Sequence, residues 1–222
     1  MRQRDRRVLR QAEHGSPVKP GISVVIPTHP GREPYLKLAV ESAWAQRRMP
    51  RLVHVVEDLE HNGAAITRDR GLRKVETEWV AFLDSDDVMY PDHLSTLLAG
   101  AKVHGADYVY SWYEIINRHG TVVHVKDPLE HFGKPFDPDR PTQTTVTTLV
   151  RTELAQSVGF DAPVAGETVG GQVAGEDWRF TLGCLAAGAK VVHVPKVTWG
   201  WRHHGIGSPG HAGNTSGLGS RW

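Results

Sequence analysis

Three carboxylates, Asp84, Asp86 and Asp87, fall within four residues directly after the apolar run Trp79-Val80-Ala81-Phe82-Leu83. Where a buried strand ends in this way, the acids crowd one small volume, repel one another and hold on to protons. A hard divalent cation relieves that repulsion, and oxygen-only ligation favours Mg²⁺ or Mn²⁺. Such an ion keeps positions open for phosphate oxygens and can neutralise charge on a departing diphosphate. The competing expectation for the same residues is an acidic turn capping the helix that starts after Pro91. Further along, Trp199-Gly200-Trp201-Arg202-His203-His204 offers imidazoles for a metal shell and a guanidinium suited to bidentate contact with phosphate. His203 and His204 are adjacent, so in an extended segment at most one faces a given ligand.

The elements around these residues read as alternating strands and helices. Ile22-Ser23-Val24-Val25-Ile26 is short, rich in β-branched residues and bounded by Gly21 and Pro27, as a strand buried on both faces should be. Glu33 to Arg47 carries Leu36, Ala39, Val40, Ala43 and Trp44 as one helical stripe. A second strand, Leu52 to Val56, runs into Glu57-Asp58. A short helix from near Gly63 turns Ile66 and Leu72 inward, and the third strand ends at Leu83. Pro91-Asp92 opens a helix with Leu94, Leu97, Leu98 and Ala101 on one face and Asp92 in its first turn. This order predicts an α/β fold with a mostly parallel central sheet covered by helices on both faces. Ligands of such sheets sit beyond the carboxyl ends of the strands, where Asp58 and the 84–87 cluster lie. The second half is less regular: strands are expected over Asp107–Ile116, Thr121–Val125, Thr144–Val150 and Lys190–Val194, and a helix over Glu176–Ala187.

The 222 residues suit one domain, expected over 21–204, with a first half at 21–105 and a smaller second half at 106–204. Lys+Arg 26 against Asp+Glu 25 gives a formal charge of +1, which exerts no global pull toward nucleic acid. Charge is uneven locally: Arg2, Arg4, Arg6, Arg7 and Arg10 form a basic arm within residues 1–20, able at most to touch an anionic membrane surface. No apolar stretch follows the arm, so neither a signal peptide nor a bilayer span is expected, and the cytoplasm is the default compartment. Cys184 is the single cysteine, which excludes an intrachain disulfide and cysteine-based zinc sites. Residues 205–222, rich in Gly and Ser and holding His211, are expected to be a flexible segment that could close over a ligand.

Three blocks in this order carry a resemblance: Ser23-Val24-Val25-Ile26-Pro27-Thr28, then Gly63 to Leu72 (GAAITRDRGL), then Phe82-Leu83-Asp84-Ser85-Asp86-Asp87. Together they resemble the nucleotide-binding half of family 2 glycosyltransferases, which have the GT-A fold. Weaker similarity continues through Val158-Gly159-Phe160-Asp161 and Gly175-Glu176-Asp177-Trp178. The resemblance implies a nucleotide-diphospho-sugar donor, Mn²⁺ or Mg²⁺ as cofactor, and a glycan, protein or small-molecule acceptor. It places Pro27 and Thr28 beside the nucleotide and Asp58 against the base, accepting from a ring N–H, with Glu57 sharing that task. Arg68 would position the nucleotide or its phosphates, although Asp69 stands where the family has Asn. Asp86 and Asp87 would hold the ribose and the metal, supported by Asp84, with His203 or His204 as a further metal ligand.

An acceptor hydroxyl is a poor nucleophile until a base takes its proton. Glu176-Asp177 resembles the family's acidic pair at a helix start, in which the Asp is the base, and a base opposite the leaving diphosphate implies single displacement with inversion. The competing expectation is a pair of first-turn acids complementing the helix dipole. For Arg68 it is a surface arginine paired with Asp69 or Glu76. Tyr110, Trp112 and Tyr113 are either core aromatics or a sugar-stacking platform. Two other functions share the architecture. A sugar-phosphate nucleotidyltransferase needs a Gly-rich basic loop after the first strand, where Pro27 to Pro34 supplies only Gly31 and Arg32. Against a non-catalytic nucleotide-sugar or glycan-binding module stand Asp86, Asp87 and Asp177.

Overall fold

The computed structural model describes residues 19–124, 131–139, 146–161, 168–169, 172–173 and 175–203. The basic arm through residue 18, His204, His211 and the expected flexible segment lie outside the described residues. The chain runs β1 (Lys19–Thr28), α1 (Glu33–Trp44), β2 (Leu52–Glu57), α2 (Ala64–Leu72), β3 (Thr77–Phe82), β4 (Val88–Met89) and α3 (His93–His104). It continues with β5 (Tyr108–Ile116), β6 (Val122–His124), β7 (Thr148–Arg151), α4 (Thr152–Val158), β8 (Thr168–Val169), β9 (Gln172–Val173), α5 (Glu176–Ala186) and β10 (Val191–Arg202).

The main sheet has the order β2-β1-β3-β7-β5-β10-β4, with β6 paired to β5. Strands β2, β1 and β3 are parallel, as the sequence pattern predicts, and β10 is parallel to β5. Between these two groups β7 is inserted antiparallel to both β3 and β5. The long strands therefore point the same way, while the pairings are mixed.

Alternation along the strands divides the core into two layers. Ile22, Val24 and Ile26 of β1, with Trp79 and Ala81 of β3, face a layer filled by Ala39 and Ala43 of α1 and by Leu94, Leu97 and Leu98 of α3. Val25, Val80 and Phe82 face the other layer, filled by Leu72 of α2, Ala155 of α4 and Phe180 and Cys184 of α5. Helix α2 lies close to the sheet because its inner face is small: a Cβ on Gly71 would stand 2.5 Å from Val25 Cγ1 and 3.0 Å from Val56 Cγ2. Ala65, Thr67, Arg68 and Leu72 complete that face, and Ile66 is only half-buried.

Several expectations need correction. Trp44 is 42% exposed, because the stripe of α1 ends at Ala43. Asp92 stands just before α3, where it pairs with Lys196 and makes no capping bond. Strand β10 does not stop at Val194. Pro195 has no N–H to give to the ladder, and the strand passes it by bulging: His193 is opposite Tyr110, but Val197 is opposite Trp112. The continuation carries Trp199 to Arg202 as strand, beyond the expected end of the last strand at Val194. Tyr110 and Trp112 are buried core aromatics; Tyr110 stacks on His193 at 4.7 Å and Trp112 on Tyr113 at 5.0 Å. No helix among the described residues is long and apolar enough to cross a membrane.

Candidate active site

The carboxyl ends of β1, β2 and β3 meet at one edge of the sheet. Thr28, the last residue of β1, is opposite Glu57 of β2, and its carbonyl accepts the Asp58 N–H at 2.8 Å. Its hydroxyl is buried and has no hydrogen-bond partner. Glu57 is exposed. Asp58 is buried, with its two oxygens accepting the N–H groups of Asn62 (3.0 Å) and Gly63 (2.8 Å). Burial pushes its pKa up, but those N–H groups and the nearby Arg70 outweigh burial and hold it below the ordinary carboxylate value. Asp58 is thus an ionised acceptor that also shapes the entry to α2, where Gly63 has φ 90°.

One strand over, the chain leaves β3 through Leu83, whose N–H still bonds Val25 O at 3.1 Å, and turns at Asp84–Asp87 with the Asp87 N–H on Asp84 O at 3.1 Å. Strand β4 then pairs antiparallel with the end of β10 and fixes the far side of the turn. The three carboxylates point in three directions. Asp84 Oδ1 accepts Arg68 Nη2 at 2.7 Å. Asp86 Oδ2 accepts Arg32 Nη1 at 2.7 Å. Asp87 is buried, and its Oδ1 accepts the Arg202 N–H at 2.7 Å.

Arg202 is itself buried, its Nε on Asp86 O at 2.6 Å and its Nη1 on Asn117 O at 2.8 Å. Its guanidinium therefore clamps the acidic turn to β10 and is not presented to a phosphate. Asp87, expected as a metal ligand, is part of this clamp. His203 follows Arg202, with its ring edge-on to Trp201 at 5.5 Å and its N–H on Ile116 O at 2.9 Å. Among the described residues no three His, Cys, Asp or Glu side chains form a ready-made metal site.

Arg68 connects the acidic turn after β3 with the start of α5. It lies on the inner face of α2 at 1% exposure, with its guanidinium 5.2 Å from the centre of the Phe160 ring. Nη2 bonds Asp84, and Nη1 lies 3.6 Å from Glu176 Oε1 and 3.7 Å from Asp177 Oδ1. Burial opposes its charge, yet Asp84, Asp177 and Glu176 together raise its pKa. Asp69 and Glu76, the partners of a surface arginine, are engaged elsewhere. Asp69 holds Arg73 and the Phe160 N–H, and Glu76 pairs with Lys19.

Glu176 and Asp177 occupy the first turn of α5 after Gly175. Burial, reinforced by Glu176 and Asp84, pushes the Asp177 carboxyl up to about 7 against the pull of Arg68. Burial and the charges of Asp86 and Glu176 likewise raise Asp84, and Arg68 only partly offsets them. Asp87 stands well above its ordinary value, through burial and then through Asp84 and Asp86. A carboxyl that titrates near neutrality beside two others, under a buried arginine, has the properties of a general base.

The family model described as glycosyl transferase family 2 matches residues 44–155, which take in β2, α2, β3 and the acidic turn. The chain belongs to glycosyltransferase family 2. It is 32% identical over 80 residues to TuaG of Bacillus subtilis strain 168, a protein assigned to teichuronic acid biosynthesis as a glycosyltransferase; the match covers 36% of this chain and 29% of TuaG. Solved structures of S. aureus TarS 1–349 superpose with a TM-score of 0.62 for the UDP complex and 0.63 for the UDP-GlcNAc complex, at 21% and 20% identity. These superpositions cover 82% and 83% of this chain and 60% and 59% of TarS 1–349, so the chain spans well under two thirds of each relative. They show that the family 2 chain has the fold of these glycosyltransferases, as the sequence blocks predict.

Sequence reasoning placed Asp58, Arg68, Asp84, Glu176 and Asp177 at the site, and the structure brings the last three around the Arg68 guanidinium. It missed Arg32 as the partner of Asp86. The available signal was position: Arg32 follows Gly31 in the loop at the carboxyl end of β1, the region that the open-sheet rule marks for ligands.

Proposed function

We propose that this chain transfers a sugar from a nucleoside-diphosphate sugar to an acceptor hydroxyl by direct displacement with inversion, assisted by Mn²⁺ or Mg²⁺. One observation carries the reading: Arg68 holds the donor-side carboxylate Asp84 and the acidic pair Glu176–Asp177 on one guanidinium. A group able to take a proton is thereby fixed next to the strand ends where a nucleotide would lie.

The residues suit a hard cation. Five carboxyls (Asp84, Asp86, Asp87, Glu176 and Asp177) crowd this region, and their mutual repulsion adds to burial in raising Asp84, Asp87 and Asp177 despite the pairing with Arg32 and Arg68. Asp86, with Asp84 beside it, would hold the ion; one or two carboxylates suffice where substrate phosphates complete the shell. When bound, the cation neutralises charge developing on the leaving diphosphate. Asp58 accepts from a base that carries a ring N–H, as uracil, thymine and guanine do. Asp177 takes the proton of the acceptor hydroxyl as that oxygen bonds to the anomeric carbon, and the bond from that carbon to the diphosphate breaks. Because TarS is solved with UDP and UDP-GlcNAc, a UDP-linked sugar is the first donor to test.

The experiment is a thermal-shift series with UDP-, TDP- and GDP-linked sugars, with and without Mn²⁺, followed by donor hydrolysis. At one hundred times its Kd, a donor stabilises by about 2.7 kcal/mol, roughly 5–10 °C for a domain of this size. That shift is expected for one base and is expected to vanish with EDTA. If no activated sugar moves the melting point, with or without metal, the reading fails.

A further inference from the structure

Arg32 is the residue immediately before α1, in the loop that leaves the carboxyl end of β1. Gly31 ahead of it has φ 92°, and its N–H donates to Glu33 Oε1 at 2.9 Å, so the backbone at this corner is fixed locally. From there the side chain crosses to the acidic turn beyond β3. Nη1 donates to Asp86 Oδ2 at 2.7 Å, and Nε donates to His29 Nε2 at 3.1 Å. Both partners of the ion pair are partly open to solvent, at 25% and 20% side-chain exposure. This differs from Arg68 and Arg202, which are buried and bound to the fold. Of the three guanidiniums around the acidic turn, Arg32 is the one on a loop corner that solvent, and hence a ligand, can reach.

We propose that Arg32 is a donor-phosphate residue held in reserve on Asp86, occupying the cation's oxygen until a diphosphate arrives. The proposal rests on the reading of the site as a metal–diphosphate site, and goes beyond it by assigning Arg32 the coupling between the two ligands. A guanidinium and a divalent cation compete for Asp86 Oδ2. Without phosphate, a cation entering there displaces the charge-assisted hydrogen bond between Arg32 and Asp86. With diphosphate present, Arg32 exchanges a carboxylate for phosphate oxygens, which its planar fork matches equally well. The eviction then has little net cost. Metal alone therefore binds weakly, and metal and diphosphate bind together.

The test measures Mn²⁺ binding by electron paramagnetic resonance on the full chain, alone and with inorganic pyrophosphate, in wild type, Arg32→Ala, Arg32→Gln and Asp86→Asn. Loss of the competing ion pair is expected to tighten binding of Mn²⁺ alone by about tenfold, equivalent to ~1.4 kcal/mol. The gain in Mn²⁺ affinity that pyrophosphate confers on wild type should shrink by a similar factor in Arg32→Ala. Arg32→Gln, the milder change, should move both quantities in the same direction. Asp86→Asn should weaken Mn²⁺ binding in every condition, which tests the metal site independently of Arg32. If both Arg32 variants bind Mn²⁺ like wild type while Asp86→Asn does not, the reserve role is overturned and the metal site stands. If Mn²⁺ binds none of the proteins even with pyrophosphate, both fail.

Discussion

Asp177→Asn separates a catalytic acid from a structural one, because the two roles predict opposite effects on stability. Asp177 is held at about 7 instead of 3.8, chiefly by burial and then by Glu176 and Asp84. Below pH 3.8 the folded and unfolded states are both protonated and the site has no penalty. Between 3.8 and about 7 the unfolded chain ionises first, so stability falls as pH rises; above 7 the loss is complete. Unscreened, that displacement corresponds to roughly 4 kcal/mol. Since 34% of the side chain is open to water, screening reduces it to ~1 kcal/mol. Asparagine cannot ionise, and Arg68 keeps its 2.7 Å bond to Asp84 in the variant. Asp177→Asn should therefore melt about 2–4 °C above wild type at pH 8, with the difference falling to about a third at pH 5. Its kcat/KM for sugar transfer should drop ~10²–10⁴-fold, while wild-type kcat/KM climbs with pH and levels off above about 7. Differential scanning fluorimetry at the two pH values and a coupled assay for released nucleoside diphosphate supply both readouts. A variant that is destabilised equally at pH 5 and pH 8, or that keeps its turnover, refutes the assignment of Asp177 as a carboxyl strained for use as a base.

Two further substitutions probe the frame that holds the site. Arg68→Met removes the buried cation shared by Asp84, Glu176 and Asp177, and should cost about 3 kcal/mol in urea denaturation, the lower end for breaking a buried pair because Asp84 is partly solvated. The loss should shrink as pH falls through about 7, where Asp177 takes up its proton; a loss independent of pH would mean that packing on Phe160, not charge, is what Arg68 supplies. Gly71→Ala drives a methyl to 2.5 Å from Val25 Cγ1 at the α2–β1 contact, and should cost about 1–3 kcal/mol. Neutral or stabilising behaviour in the same measurement would show that α2 can move away from the sheet.

The sequence by itself determined the parts of this protein that depend on neighbours in the chain. Short apolar runs marked β1, β2 and β3, the first rich in β-branched residues and bounded by Gly21 and Pro27, and the ends of the second and third placed Asp58 and Asp84 at strand termini. The acidic first turn of α5 was visible as Glu176-Asp177 after Gly175, and the three ordered blocks carried the family. What the sequence left open depends on which distant segments become adjacent. Antiparallel β7, inserted between β3 and β5, has no local signature, because its place is set by hydrogen bonding to strands far away in the chain. The passage of β10 through Pro195 was hidden because a bulge is a property of a pair of strands. The same reason governs the charges. Residue spacing offers Arg68 a choice between Asp69, Glu76 and solvent, whereas packing of α2 against the sheet buries it beneath Asp84 and next to α5. Asp84, Asp86 and Asp87 look equivalent in a string of letters. Only the surrounding strands and loops decide that the first faces Arg68, the second Arg32, and the third turns inward to the backbone of β10.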